Sequence, residues 1–267
     1  MCLKKRPALA GRFLFGFELL GVEMPARLKA FLIHLLGSAA IALITLGLVF
    51  VVWYPAPLQA ALGVTQIFLL LLAVDVTLGP LLTLIVYRKG KRTLFFDLSV
   101  IVLVQLVALG YGLWTVAEGR PAWIVYNSDR FDVVQVVDID ARRLDQVKPE
   151  YRKAPLTGPL WVGAVRPEDP ELRQEIFFDS IAGGSDIAQR PETYRPLAEM
   201  EEAVKARAFP LSKLSDFNEA THVQQVLNGW PAAGAWVPLM ARVRPMVVLL
   251  DKDHYRVLGI VDLKPWK

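Results

Sequence analysis

The chain has 267 residues, 54% of them hydrophobic, a formal net charge of +4 and a single cysteine, Cys2. One cysteine excludes an intramolecular disulfide, a CxxC redox pair and a cysteine-rich zinc site. Much of the positive excess sits in Lys4, Lys5, Arg6, Arg12, Arg27, Lys29 and the cluster Arg88, Lys89, Lys91, Arg92, which flank apolar runs; that is how a membrane protein distributes its cations, and no nucleic-acid partner is expected.

The mean hydropathy of +0.38 is an average of two different materials. Residues 1–30 form a basic tail. Met24 opens a segment, MPARLKAFLIHLL, that would itself make a sensible N-terminus. No hydrophobic stretch precedes Cys2, so a lipoprotein signal is not expected. The first span covers residues 31–54, long enough at 1.5 Å per residue for a hydrocarbon core of about 30 Å. It outruns the roughly 7–15 apolar residues of a signal peptide and is read as an uncleaved anchor. Trp53 and Tyr54 are placed in an interfacial belt, and Pro55 and Pro57 stop the helix. The second span runs over about 62–87, interrupted by Asp75, Gly79 and Pro80. The third runs over about 94–116, with Asp97 near its start and Gln105 near its middle. The basic tail and the loop RKGKR between spans two and three place both on the cytoplasmic side, and the PAPLQA loop and everything after Val116 on the other.

Residues 118–267 read as an extracytoplasmic α+β domain, following a three-helix transmembrane region at 31–117. In AWIVYNSDRFDVVQVVDID, β-branched and aromatic residues alternate with polar ones around Asn127-Ser128-Asp129, the pattern of a hairpin. RPMVVLLDKDHYRVLGIVDL repeats that pattern at the C-terminus, its tip at Asp251 to His254. Between them helices are expected at 169–181, 194–208 and 215–227, the last with Ser215 as N-cap and Glu219 in its first turn.

Asp75 carries the strongest chemical signal, because a carboxyl near mid-bilayer costs about 2.5–3.5 kcal/mol unless it finds a partner. With Gly79 and Thr83 it lies on one face of the second helix. It meets a cation or donor on a partner helix, or hydrogen-bonds internally to Gln105, Ser38 or Thr45, or is protonated. Gly79-Pro80 is expected to kink the helix and open a cleft beside it. Asp75, Gly79, Pro80, Thr83 and Gln105 are therefore the candidate partner-binding residues. Asp97, one turn from the basic cluster, reads as a topological anchor. Ser38, Ala42 and Thr45, and Gln105, Ala108 and Gly112, form small-residue faces that pack the spans or accept a further helix. No catalytic site, metal or cofactor is expected: His34, His222 and His254 have no ligand spacing, no nucleophile elbow, P-loop or dinucleotide fingerprint is present, and Gly183-Gly184-Ser185-Asp186 reads as a turn.

Trp53-Tyr54-Pro55, the Asp75-x-x-Leu78-Gly79-Pro80-Leu81 motif, Arg120-Pro121 and the Asp129-Arg130-Phe131 turn are the most specific parts of a match that spans residues 24–266. On these residues the chain resembles the TfpX/TfpZ family of type IV pilin accessory proteins. The resemblance implies a non-enzymatic chaperone or assembly factor of the bacterial inner membrane, whose partners are the bilayer and a type IV pilin, met through both its transmembrane helix and its periplasmic head. It carries over no binding residues. The competing readings are a sensor or transport subunit using Asp75, and a membrane enzyme acting on pilin or envelope glycan. Few polar residues and no inverted repeat speak against transport, the short cytoplasmic segments speak against sensing, and an enzyme would need an acid and a nucleophile converging in one pocket of the outer domain.

Overall fold

A computed structural model describes residues 24–267; the basic tail, with Cys2 and the question of the Met24 start, lies outside the described residues. By its contacts the chain divides into two units, residues 24–47 with Gln66–Trp114, and Leu48–Thr65 with Thr115–Lys267.

Three stretches, Ala26–Trp53, Val64–Val86 and Leu94–Glu118, are helical and long and apolar enough to cross a membrane. Their leucine, isoleucine, valine and alanine side chains suit lipid, and the helix satisfies each backbone polar group internally where no water can. The first comprises α1 (Ala26–Gly47) and a π-helical turn (Leu48–Trp53). A short helix, α2 (Leu58–Leu62), follows the two prolines, and Gly63, at φ 70°, ends it in the left-handed region that glycine tolerates best. The other spans are α3 (Val64–Val86) and α4 (Leu94–Glu118). Pro80 lies inside α3 without ending it.

The second unit is built on one mixed sheet. Its strands are β1 (Pro121–Asn127), β2 (Arg130–Gln135), β3 (Leu160–Ala164), β4 (Tyr194–Pro196), β5 (Phe209–Pro210), β6 (Ala233–Met240), β7 (Met246–Asp251) and β8 (Val257–Val261). They are ordered β4-β3-β1-β2-β6-β7-β8, with β5 beside β6. Both expected hairpins are present: β1 pairs antiparallel with β2, and β7 with β8. The β1–β3 and β2–β6 pairs are parallel. Every residue of β1 is buried, as befits a strand covered on both faces. One core cluster gathers Trp123, Val125, Val134, Val162 and Tyr194; the other gathers Trp236, Val247, Leu249, Leu214 and Val223.

The helices between the strands are α5 (Pro170–Ile181), α6 (Glu201–Arg207) and α7 (Ala220–Asn228). The first agrees with expectation, with Asp169 as N-cap accepting from the Glu171 amide at 3.0 Å. The other two need correction. Residues 194–208 are not one helix, because Tyr194–Pro196 pairs with β3 and a 3-10 turn intervenes before α6. Ser215 caps nothing: it lies in a 3-10 turn, Leu211–Asp216, and Glu219 stands at the N-cap of α7. The break falls where the Asn218 amide donates to the Leu214 and Lys264 carbonyls, an alternative to continuing the helix.

The segment Leu48–Thr65 belongs with the sheet. Tyr54, expected in an interfacial belt, is 2% exposed, so it is covered by the protein itself, and its hydroxyl donates to the Val116 carbonyl at 2.8 Å. The Ala61 carbonyl accepts from the amides of Val243 and Arg244, and Val243 packs where a side chain on Gly63 would stand.

Candidate functional site

Within the helical unit several polar residues join one helix to another. His34 Nδ1 and Thr83 Oγ1 are hydrogen-bonded at 2.6 Å, tying α1 to α3. Gln105 Nε2 on α4 donates to the Asp75 carbonyl at 2.8 Å and approaches its carboxylate Oδ1 at 3.4 Å. The Gln105 amide lies where a Cβ on Gly79 would stand, so Gly79 is small because Gln105 needs the space. The cleft expected beside Gly79-Pro80 is therefore occupied at Gly79 by this side chain. On α4 Gly112 makes the reciprocal accommodation, receiving Leu71. Ser38, Ala42 and Thr45 are all buried, so that small-residue face is used within the protein. Gln105 and Gly112 likewise face inward, whereas Ala108 is exposed. Asp97, with Lys91 Nζ at 2.7 Å and Thr93 Oγ1 at 3.1 Å, is paired at the basic loop as expected of an anchor.

Of the internal partners expected for Asp75, the structure brings up Gln105. One polar atom in this seam remains unanswered: Gln105 Oε1 is buried and accepts no hydrogen bond among the described residues. In an apolar setting such an acceptor has a standing demand for a donor.

In the sheet domain, the Asp129-Arg130-Phe131 turn has two faces. Phe131 is buried edge-on to Tyr126 and Trp161, each ring 5.2 Å away. Ser128, at φ 61°, and Asp129 project at the exposed tip. Arg130 Nε meets Asp132 Oδ1 at 3.2 Å, and burial pushes the Asp132 carboxyl up from its ordinary value against that pairing. Beside this turn is a recess of about 390 Å³, with Arg130, Arg166, Arg173, Asp186, Ile176 and Phe177 among its walls. Phe177, Phe178 and Ile181 leave an apolar stripe of α5 uncovered, at 56%, 58% and 68% exposure.

A charged cluster that sequence reasoning missed surrounds Arg190, which is 1% exposed. Its guanidinium reaches Asp179 at 2.5 Å and Glu175 at 3.3 Å. Arg142 binds Asp140 at 2.6 Å and also Asp179, and Arg143 binds Glu175 at 2.5 Å. Ser185 donates to Asp140 at 2.5 Å, so the loop read as a turn is one, and it closes the cluster. The hydrogen bond from Arg142 holds Asp140 well below the usual carboxylate range, and Arg142 and Arg143 hold Asp179 and Glu175 down likewise. Carboxylates held ionised by arginines are poor proton donors, and this arrangement is that of a brace between α5 and two loops. No group of three or more His, Cys, Asp or Glu side chains is placed to hold a metal among the described residues.

Three helices long and apolar enough to cross a membrane, a polar seam between them and a mixed-sheet domain define a membrane-anchored α+β protein. The family model for fimbrial assembly protein FimB matches residues 22–63. Two curated relatives, the fimbrial assembly proteins of serogroups I and E1 of Dichelobacter nodosus, are each 32% identical over 251 residues, covering 91% of this chain and 93% of the relative. A third, of serogroups C1 and C2 of the same organism, is 35% identical over 137 residues, 51% of this chain and 96% of the relative. The chain belongs to the fimbrial assembly protein family. No solved structure matches it.

Proposed function

We propose that this protein is an accessory factor of the TfpX/TfpZ kind in the bacterial inner membrane, which binds type IV pilin and promotes its stability or assembly without catalysis. The observation that carries the reading is similarity to fimbrial assembly proteins along nearly the whole chain, through helices and sheet domain alike. A pilin waiting in a membrane has an apolar helix and a globular head outside, both prone to aggregate when unassembled. A thin bundle with a polar seam answers the first, and a domain with an uncovered apolar stripe on α5 answers the second. Basic residues at Arg27, Lys29 and Arg88 to Arg92 support an N-terminus in the cytoplasm and a sheet domain in the periplasm.

Asp75, Gly79, Pro80, Thr83 and Gln105 are the residues proposed to meet the pilin helix. The Asp75 carboxylate and the unanswered Gln105 Oε1 offer two acceptors to a cationic or N–H donor, such as the amine at the start of a mature pilin helix. The test is co-purification of the detergent-solubilised protein with its pilin. Asp75→Asn keeps the shape and removes the charge, and is expected to weaken capture about tenfold at unchanged abundance, a change of about 1.4 kcal/mol. Asp75→Leu is the control: a loss of folded protein assigns the carboxyl to the bundle's own packing. Capture undiminished in both variants removes Asp75 from recognition.

A further inference from the structure

The loop at 154–160 is fixed to the C-terminal ends of two spans. Arg120, 8% exposed, donates from Nη1 to the Ala117 carbonyl in the last turn of α4 at 2.7 Å, and from Nε and Nη2 to the Pro155 carbonyl at 3.4 and 3.3 Å. Gly158, at φ 65°, lies so that a Cβ there would stand 3.4 Å from the carbonyl of Val52, in the last turn of the first span. The spans end at Trp53 and Glu118, so both attachments set this loop at the boundary of the bilayer. Its side chains suit that level. Leu156 is 74% exposed and Leu160 51%, with Val51 at 75%. Between loop and span is an open recess of about 560 Å³, walled by Val51, Val52, Pro55, Pro159 and Trp161. Lys148, Arg152 and Lys153, just before it in the chain, are exposed cations.

We propose that residues 148–160 form a foot that docks the sheet domain onto the phospholipid of the same bilayer, Leu156 and Leu160 entering the acyl boundary and the three cations meeting anionic headgroups. Apolar side chains beside a basic segment are how an interfacial element holds a charged membrane. Continuity with the spans selects lipid as the occupant: the acyl layer reaches this level wherever the spans do. The foot works on whichever side of the membrane the domain stands, so it does not depend on pilin recognition.

The test uses the full chain in lipid nanodiscs, with Cys2→Ser and a fluorophore on Leu156→Cys, or on Leu160→Cys as a second site. Arg166→Cys is the control. β3 leaves the boundary at Leu160 and runs parallel to β1, which starts at Pro121 just after the span, so Arg166 lies at the far end, about 20 Å away at roughly 3.3 Å per residue. Lipids with a quencher high on the acyl chain are expected to quench the 156 and 160 probes about twofold or more beyond the 166 probe. Replacing part of a zwitterionic lipid by phosphatidylglycerol should increase that quenching, and Lys148→Gln with Lys153→Gln should abolish the increase. Quenching at 156 and 160 no greater than at 166, or probes shielded only when pilin is added, overturns the proposal. Insensitivity to phosphatidylglycerol overturns the role of the cations.

Discussion

Arg190 shows what a single buried cation demands. Its guanidinium is enclosed, and its partners come from α5 and the loops at 140 and 192. Truncating it leaves the half-exposed Arg142 as the remaining cation shared by Asp179 and Asp140, and takes away the buried one that also joins them to Glu175. Breaking a buried pair costs about 3–5 kcal/mol, and the lower end applies because Asp179 and Glu175 remain partly wet. Arg190→Ala is therefore expected to lower the melting temperature by about 6–12 °C, read by tryptophan fluorescence in detergent. The same cluster gives a pH dependence. Asp140, Glu175 and Asp179 have folded-state pKa values below their ordinary ones, so their stabilisation is complete above the unfolded values, about 3.9–4.3, and is lost as pH falls through the folded values. Asp132 and Glu192, raised by burial, act oppositely, since protonation relieves them. The melting temperature should hardly change from pH 7 to about 5 and fall below about 4, with a shallower fall in Asp140→Asn; an equal fall in that variant removes Asp140 as a cause. None of this was legible in the sequence, because the carboxylates and their arginine partners come from separate segments of the chain. Asp75 was legible, since a carboxylate in an apolar run is costly wherever the helix packs, but its neighbour Gln105 was one of several candidates until packing chose it.

Among elements, the segment between the first two spans departs most from its sequence reading. Apolar residues, an aromatic pair and two prolines describe a span ending at an interface, yet Tyr54, Leu58 and Ala61 are core residues of the sheet domain. The Tyr54 hydroxyl ties this segment to the last turn of α4. Tyr54→Phe removes one buried hydrogen bond and leaves the Val116 carbonyl short of a partner, a loss of about 1–2 kcal/mol. The melting temperature should drop by about 2–8 °C; an unchanged melt means that water or another donor already serves that carbonyl. The spans and both hairpins were legible because each depends on a local period: an unbroken apolar run for a span, alternation about a short turn for a hairpin. The short strands β4 and β5 were not, since two or three residues carry no period and exist only where β3 and β6 supply their partners.

For the whole molecule, orientation decides function, because a sheet domain in the cytoplasm could never meet a pilin head. Alkaline phosphatase joined after Lys267 should be active and the same enzyme joined after Lys91 inactive. The reverse pattern removes the proposed pilin partner while leaving the membrane-docked foot intact. The sequence by itself determined that the protein crosses a membrane three times and then folds a polar α+β domain, since desolvation of charge and the period of apolar residues act locally along the chain. It also carried the motifs that resemble a pilin accessory protein. Tertiary structure alone decided the strand order, with β1 buried between β2 and β3, and the enclosure of Arg190 by distant carboxylates. It alone placed Gln105 against Gly79 and set the loop at 154–160 beside the span ends. The physical reason is common to these: each is a contact between segments far apart in the chain, whose free energy depends on close packing and on mutual burial of polar groups.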